Sequence, residues 1–438
     1  MKARTALIAA ALLAATSPVA LAQTEIQWWH AMTGANNDVV NKLAADFNAS
    51  QKDYKVVASY KGSYADTLNA GIAAFRAGNA PHILQVFEVG TASMMGAGKA
   101  IKPVAEVMAE AGEKFDPKSY LPAVSGYYST AKGELLSFPF NSSSSVMWYN
   151  KDAFKKAGLD PNNPPKTWPE LFDAAKKLQA SGHPECGFSS AWITWLNIEQ
   201  FAVWHNTPLA TKGNGIDGFD AVLTINSPLF VKHLNNLVEA QKTKTFSYSG
   251  RTNTGEGRYT SGECPIMLTS SGFYGNVKAN AKFDWANAPM PYYPDAPGAP
   301  QNSTLGGASL WVMGGKSAAD YKGVAKFFTF LSDTDRQAKL HTESGYLPIT
   351  TAAYEKVKAS GFYKDNPYLE TPLKELTNKP PTENSRGLRL GGLVQIRDMW
   401  AEEIEDALAG KKTAKEALDK AVERGNAVLR QFERTVQR

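Results

Sequence analysis

Cysteine is scarce in this chain: Cys186 and Cys264 are the two in 438 residues. A single pair excludes a scaffold built on disulfides. In an oxidising compartment it is either one bridge or two buried thiols, and the sequence leaves both open. The six histidines (His30, His82, His183, His205, His233 and His341) are scattered, and none stands at metal-ligand spacing. No cofactor or metal is expected. Also missing are a Gly-x-Ser-x-Gly elbow, a Walker loop and a His-Glu-x-x-His motif. Acidic residues number 42, yet nothing in the sequence singles out two of them for glycosidase work. Catalysis therefore has no signature, and a secreted hydrolase of sugar or phosphodiester substrates would need one. Basic blocks are absent as well. The net charge of +5, or +3 without Lys2 and Arg4, is spread along the chain. That argues against nucleic acid as a partner and suits a small anionic ligand. One motif is present without its context. GNGIDG at 213–218 fits G-x-G-x-x-G, but nothing before it reads as a strand and no helix opens after it. A flexible surface loop is expected there.

What the chain does have begins with a leader. Lys2 and Arg4 precede an apolar run over 6–15, and Ala20-Leu21-Ala22 supplies a small-x-small cleavage pattern before Gln23. No Cys follows that site to carry a lipid, and no later run of about 18 apolar residues could span a bilayer. The mature protein is expected to be soluble, exported and, by default, monomeric. Its length exceeds what one hydrophobic core organises and implies two lobes.

The mature chain opens as strand, helix, strand, helix, strand: 25–29, 36–48, 54–60, a helix capped by Ser63 and ended by Gly78, and 81–87. That alternation argues for a parallel α/β sheet, whose ligands sit beyond the carboxyl ends of its strands. Tyr64 and Glu88 occupy such positions; otherwise Tyr64 packs a helix start and Glu88 is a solvated loop charge. Further on, LSFPFNSSSSVMWYNKDAF at 136–154 passes from an apolar run containing Pro139, through Asn141 and four serines, into a second apolar run. Proline disfavours a regular central strand and serine-rich backbone favours turns. We read a crossing between two lobes, with hydroxyls lining a cleft. Thr167 and Glu170 form a capping box, and 186–188 reads as a strand. Trp192 and Trp195, three apart on one helical face, suit the carbon surface of a polyol or sugar, although core tryptophans are common. Ser270-Ser271-Gly272 at a strand-to-helix turn is a candidate anion site or a plain cap. Gly306-Gly307 opens a strand and allows close backbone approach. Tyr346 follows in SGYLP, and Arg397 lies near the start of a late helix.

Taken together, FNSSSSVMWYNKDAFKKAGLDP with PPKTW, GGASLWVM and SGYLPIT resemble extracellular solute-binding proteins of ABC transporters, of the maltose-binding-like group. YKGSYADTLNAGIAAFRAGNAPHILQVFEVGTASMM, VSGYYS, PFNSSSS and GLRLGGLVQIR resemble the branch that takes sn-glycerol 3-phosphate. The likeness runs the whole mature chain in order. It implies a two-lobed periplasmic binding-protein fold, each lobe a mainly parallel sheet flanked by helices, joined by crossover hinge segments. The first lobe would hold 23–138 with about 286–340 returning to it, and the second 139–285 with about 341–438. It implies ligand contacts at Tyr64, Glu88, Ser143, Ser270, Gly307, Tyr346 and Arg397, with Trp192 and Trp195 as an aromatic floor. The implied partners are glycerol 3-phosphate, with glycerophosphodiesters such as glycerophosphocholine left open as further ligands and a neutral sugar or oligosaccharide as the alternative, and the transmembrane permease subunits of an ABC importer. The implied place is the periplasm, and the implied role is binding without turnover.

Overall fold

The computed structural model describes residues 23–130 and 132–436; the leader expected over 1–22 lies outside them. Among the described residues ten strands form two sheets. The first is built on β1 (Thr24–His30), β2 (Tyr54–Tyr60) and β3 (Ile83–Phe87), which run parallel. Every residue of β3 is buried, as a strand covered by helices on both faces requires. The helices Gly34–Ser50 and Tyr64–Arg76 make the crossovers, the second opened by a Ser63–Asp66 capping box. β4 (Ile101–Lys102) and β5 (Phe138–Ser143) complete this sheet from opposite stretches of one strand met later.

The second sheet contains β6 (Ser145–Asn150), β7 (Ser189–Ser190), β8 (Ile266–Ser270) and β9 (Trp285–Ala288), in the order β7-β8-β6-β9. β10 (Gly306–Met313) then returns to the first sheet and pairs antiparallel with β3, β4 and β5. Both sheets are therefore mixed rather than mainly parallel. In the second, only β7 and β8 are parallel. The chain enters and leaves that sheet by reversing direction, which the local strand-helix alternation of the first lobe does not report.

The serine-rich stretch is where the chain changes sheets. β5 ends at Ser143, β6 begins at Ser145, and Ser144 alone joins them. The change comes there rather than at 138–139. Pro139 lies inside β5 opposite Ser309, where the register shifts; a residue without an N–H is accommodated by a bulge in an edge pairing. β9 belongs to the second sheet, and Tyr346, Leu347, Ile349 and Leu376 join the core of the first lobe around Trp28 and Phe327. The returning segments thus cross later than 286 and 341.

Cys186 and Cys264 form a disulfide, with Cα atoms 5.0 Å apart. It stands ahead of β7 and β8. The strand expected at 186–188 comes later: only Ser189 and Ser190 pair with β8, and Phe188 makes an isolated bridge to Phe246. In place of the flexible surface loop expected at 213–218, residues 212–215 form a left-handed turn in which Gly213, Asn214 and Gly215 are buried, while Asp217 is exposed. Lys212, Gly213 and Asn214 have φ of 57°, 54° and 57°. The buried Asn214 side chain accepts from the N–H groups of Leu209 and Ala210 and donates to the Asn384 carbonyl; such local bonding offsets the cost of left-handed backbone. Among the described residues no helix is long and apolar enough to cross a membrane.

Candidate functional site

A cavity of about 270 Å³ opens between the two sheets. All nine residues singled out above border it: Tyr64, Glu88, Ser143, Trp192, Trp195, Ser270, Gly307, Tyr346 and Arg397. The topology explains the convergence. Glu88 follows the carboxyl end of β3, Ser143 ends β5, Ser270 ends β8, and Gly307 is the second residue of β10. Tyr64 is the first residue of its helix, and Arg397 lies one turn into the helix Leu393–Leu408. Gly307 has φ of +84°, and a Cβ there would lie 1.9 Å from the Asn141 carbonyl oxygen. Only glycine fits.

The tryptophans are arranged differently from the expectation. Trp192 precedes the helix with a left-handed φ of 48°, and Trp195 opens a π-helical turn, Trp195–Gln200. They do not share a helical face; the wide turn and the strained residue bring them to the cavity separately. π-helical turns and strained backbone both concentrate at functional sites. Trp192 faces Tyr64 at 6.3 Å between ring centroids, and Tyr64 stacks on Phe87 at 5.2 Å and 4°. The Tyr64 hydroxyl accepts from Asn141 Nδ2 at 2.9 Å, and Asn141 Oδ1 accepts from Gln85 Nε2 at 2.8 Å. The aromatic wall is thereby fixed from behind by buried amides.

The electrostatic centre is Arg397. Its Nη2 donates to Glu88 Oε1 at 2.5 Å. Its Nε and Nη2 donate to the two oxygens of Glu199 at 2.5 and 2.7 Å. Burial opposes the guanidinium charge, but Glu199 and then Glu88 hold its pKa above the ordinary value. Burial pushes Glu88 up to about 7, with Arg397 pulling it down and Glu199 adding to the rise. Nη1 makes no hydrogen bond to any described residue, so this nitrogen of a residue that borders the cavity keeps its donors unclaimed.

At the other wall, the Ser270 hydroxyl accepts from the Gly272 N–H at 3.0 Å. The cap role is thus filled, and the hydroxyl proton remains to donate. Tyr346 packs over Gly272, where a Cβ would come within 2.6 Å of its ring. Glu256 also borders the cavity, with Oε1 accepting from Thr269 Oγ1 at 2.7 Å. Burial raises its pKa to about 8, and the Thr269 bond lowers it only in part.

Sequence reasoning missed Glu199, Glu256 and Asn141. Glu199 carried a signal: it is an isolated acid inside the apolar run WITWLNIEQFAVW, and a buried charge needs a partner. Glu256 sits in a polar stretch and carried none. Among the described residues no group of three His, Cys, Asp or Glu side chains could hold a metal ion.

A family model described as bacterial extracellular solute-binding protein matches residues 42–371. An sn-glycerol-3-phosphate-binding periplasmic protein, UgpB, of Agrobacterium fabrum is 55% identical over 412 residues, covering 94% of each chain. Among solved structures, UgpB from Mycobacterium tuberculosis in complex with glycerophosphocholine matches with a TM-score of 0.79 and 19% identity, over 93% of this chain and 99% of that one. Maltose-bound MalE3 of T. maritima matches with a TM-score of 0.76 and 19% identity, over 92% and 99%. At such identities the two structures share the two-lobed fold, and their different ligands show that the fold alone does not choose one.

Proposed function

We propose that this chain, which belongs to the bacterial extracellular solute-binding protein family, receives sn-glycerol 3-phosphate between its lobes. It is exported to the periplasm, acts as a monomer and delivers the ligand to the permease subunits of an ABC importer. No bond is made or broken; the output is a closed shape. The lobes are divided as the sheets are, at Ser144 and between β9 and β10.

The observation that carries the ligand class is Arg397, the one cation among the described residues that border a cavity whose other polar lining is hydroxyls, amides and the carboxyls of Glu88 and Glu256. A phosphate monoester offers nearly two charges and three acceptor oxygens. In this reading Arg397 Nη1, the Ser143 and Ser270 hydroxyls and the Tyr346 hydroxyl donate to the phosphate, and Gly307 lets it approach the backbone. Glu88, whose second oxygen makes no bond to a described residue, accepts from a glycerol hydroxyl. Trp192 and Trp195 cover the carbon chain. A few charge-assisted hydrogen bonds of roughly 1.5–3 kcal/mol, less ordering costs, reach the roughly 8 kcal/mol of micromolar binding.

Titration calorimetry of the mature protein tests this, with sn-glycerol 3-phosphate, glycerophosphocholine, glycerol and maltose as titrants. Saturable one-to-one binding of glycerol 3-phosphate without binding of glycerol or maltose is expected. Maltose binding in its place would overturn the phosphate reading and keep the family. Binding of glycerophosphocholine as well would widen the ligand class to diesters.

A further inference from the structure

The cavity that should hold a phosphate ester is short of positive charge. Of the described residues that border it, Arg397 is the one cation, against Glu88 and Glu256. Glu199, immediately behind, holds Arg397 by two bonds. A dianionic ligand entering this space meets more fixed anions than cations, and like charges in a buried site favour protonation of one of them. The two cavity carboxyls are not equivalent. Glu88 is bound by the Arg397 guanidinium, which favours its charged form against burial. Glu256 is buried, and its one partner is the neutral Thr269 hydroxyl, on Oε1. Oε2 makes no bond to a described residue.

Among the described residues, nothing packed around Glu256 supplies a countercharge. On its own helix, Glu256–Thr260, Arg258 turns away to Glu263, donating at 2.9 and 2.6 Å, and Tyr259 is neutral and buried among aromatic rings. On the neighbouring helix Tyr274–Asn280, Lys278 lies over the Tyr274 ring, 5.6 Å from its centroid. β8 contributes Thr269, and Tyr346 approaches from across the cavity with a phenol.

We propose that Glu256 stands in the ligand complex as a neutral acid, its Oε2–H donating to the bound phosphate ester, so that binding takes up a proton from solvent. The inference rests on the phosphate-ester reading above. It makes Glu256 a specificity residue: a hydrogen-bond donor to an anion at a position where an ionised carboxylate would repel it. The raised pKa of Glu256, already about 8 from burial, lowers the cost of that protonation.

Calorimetry with sn-glycerol 3-phosphate between pH 7.5 and 9, in pairs of buffers differing in ionisation enthalpy, counts the protons. The free ligand is a dianion throughout, its second pKa being about 6. Wild-type protein should take up a fraction of a proton per ligand that grows toward one with pH, and its Kd should rise by up to about tenfold per pH unit. Glu256→Gln, which keeps the shape and the Thr269 bond, should bind with no proton uptake and a flat Kd over the same range. Binding by wild type without uptake would overturn the proposal. So would uptake that survives in Glu256→Gln, which would place the proton on Glu88 or on the phosphate. Absence of glycerol 3-phosphate binding at every pH would instead bring down the ligand reading itself.

Discussion

Glu199 grips Arg397 with both of its carboxylate oxygens, at 2.5 and 2.7 Å, from a position with no solvent exposure. The bidentate contact uses Nε and Nη2, and Glu88 takes the remaining direction of Nη2. Glu199 therefore determines which way the unclaimed Nη1 edge points. A planar guanidinium clamped along one side can turn neither its plane nor its free donors.

Breaking that clamp should cost stability first. Glu199→Ala leaves a buried cation short of a partner and should lower the unfolding free energy by about 3–5 kcal/mol, measured by urea titration. Glu199→Gln keeps a hydrogen bond and should cost less.

The guanidinium itself should matter to the ligand. Arg397→Ala should weaken glycerol 3-phosphate binding by at least about 2 kcal/mol, because it strands the charge that Arg397 would meet. An unchanged dissociation constant in calorimetry would remove Arg397 from the site.

Stability should also depend on pH from both sides. Glu88 and Glu256 have folded pKa values of about 7 and about 8 against an ordinary 4.5. The folded state binds more protons than the unfolded one over those windows, so stability falls as pH rises through them. His30, His205 and His341 are moved by burial from 6.5 to about 4, so stability is lost as pH drops across that window. The ligand-free protein should be most stable near about pH 6.5 by this linkage. A urea series from pH 4 to 9 that stays level would contradict these assignments.

The Cys186–Cys264 bond closes a loop across 78 positions and anchors a parallel pairing in which β7 contributes two residues. Reduction, or the double serine variant, should lower stability by about 2–4 kcal/mol. Melting with and without reductant reads this directly.

Gly307→Ala should be among the least tolerated single changes. Its Cβ would strike the Asn141 carbonyl and sit at a left-handed φ, and the expected loss exceeds about 2 kcal/mol. A melting temperature equal to wild type would show that β5 and β10 can separate locally.

The first lobe was largely legible because its elements announce themselves by periodicity and caps: β1, β2 and β3 alternate with helices, and Ser63 stands at a helix start. The crossing at 142–145 was legible through composition, since four serines after an apolar run satisfy neither lobe's core. The antiparallel return of β10 was not, because strand direction depends on contacts made hundreds of residues away. The backbone of Trp192 and the π-helical turn at Trp195–Gln200 were also invisible; neither departs from an ordinary helical pattern of side chains. The turn at 212–214 was misread because its glycines suggested freedom, whereas Asn214 binds the backbone around it from within.

Ser144, the one residue between the sheets, donates from its hydroxyl to Ser303 on the second passage between lobes, at 2.7 Å. That passage is itself clasped by Gln200, which donates to and accepts from the backbone of Thr304. The two passages therefore form one pivot with almost no lever arm. When one lobe swings against the other, displacement grows with distance from that axis. Ser143 and Gly307, beside the pivot, would stay in place as Glu256 and Trp192 travelled on the outer arc. Under the closure proposed above, the cavity would then work as a fixed anvil and a moving jaw, with a ligand seated on the first before the second arrives.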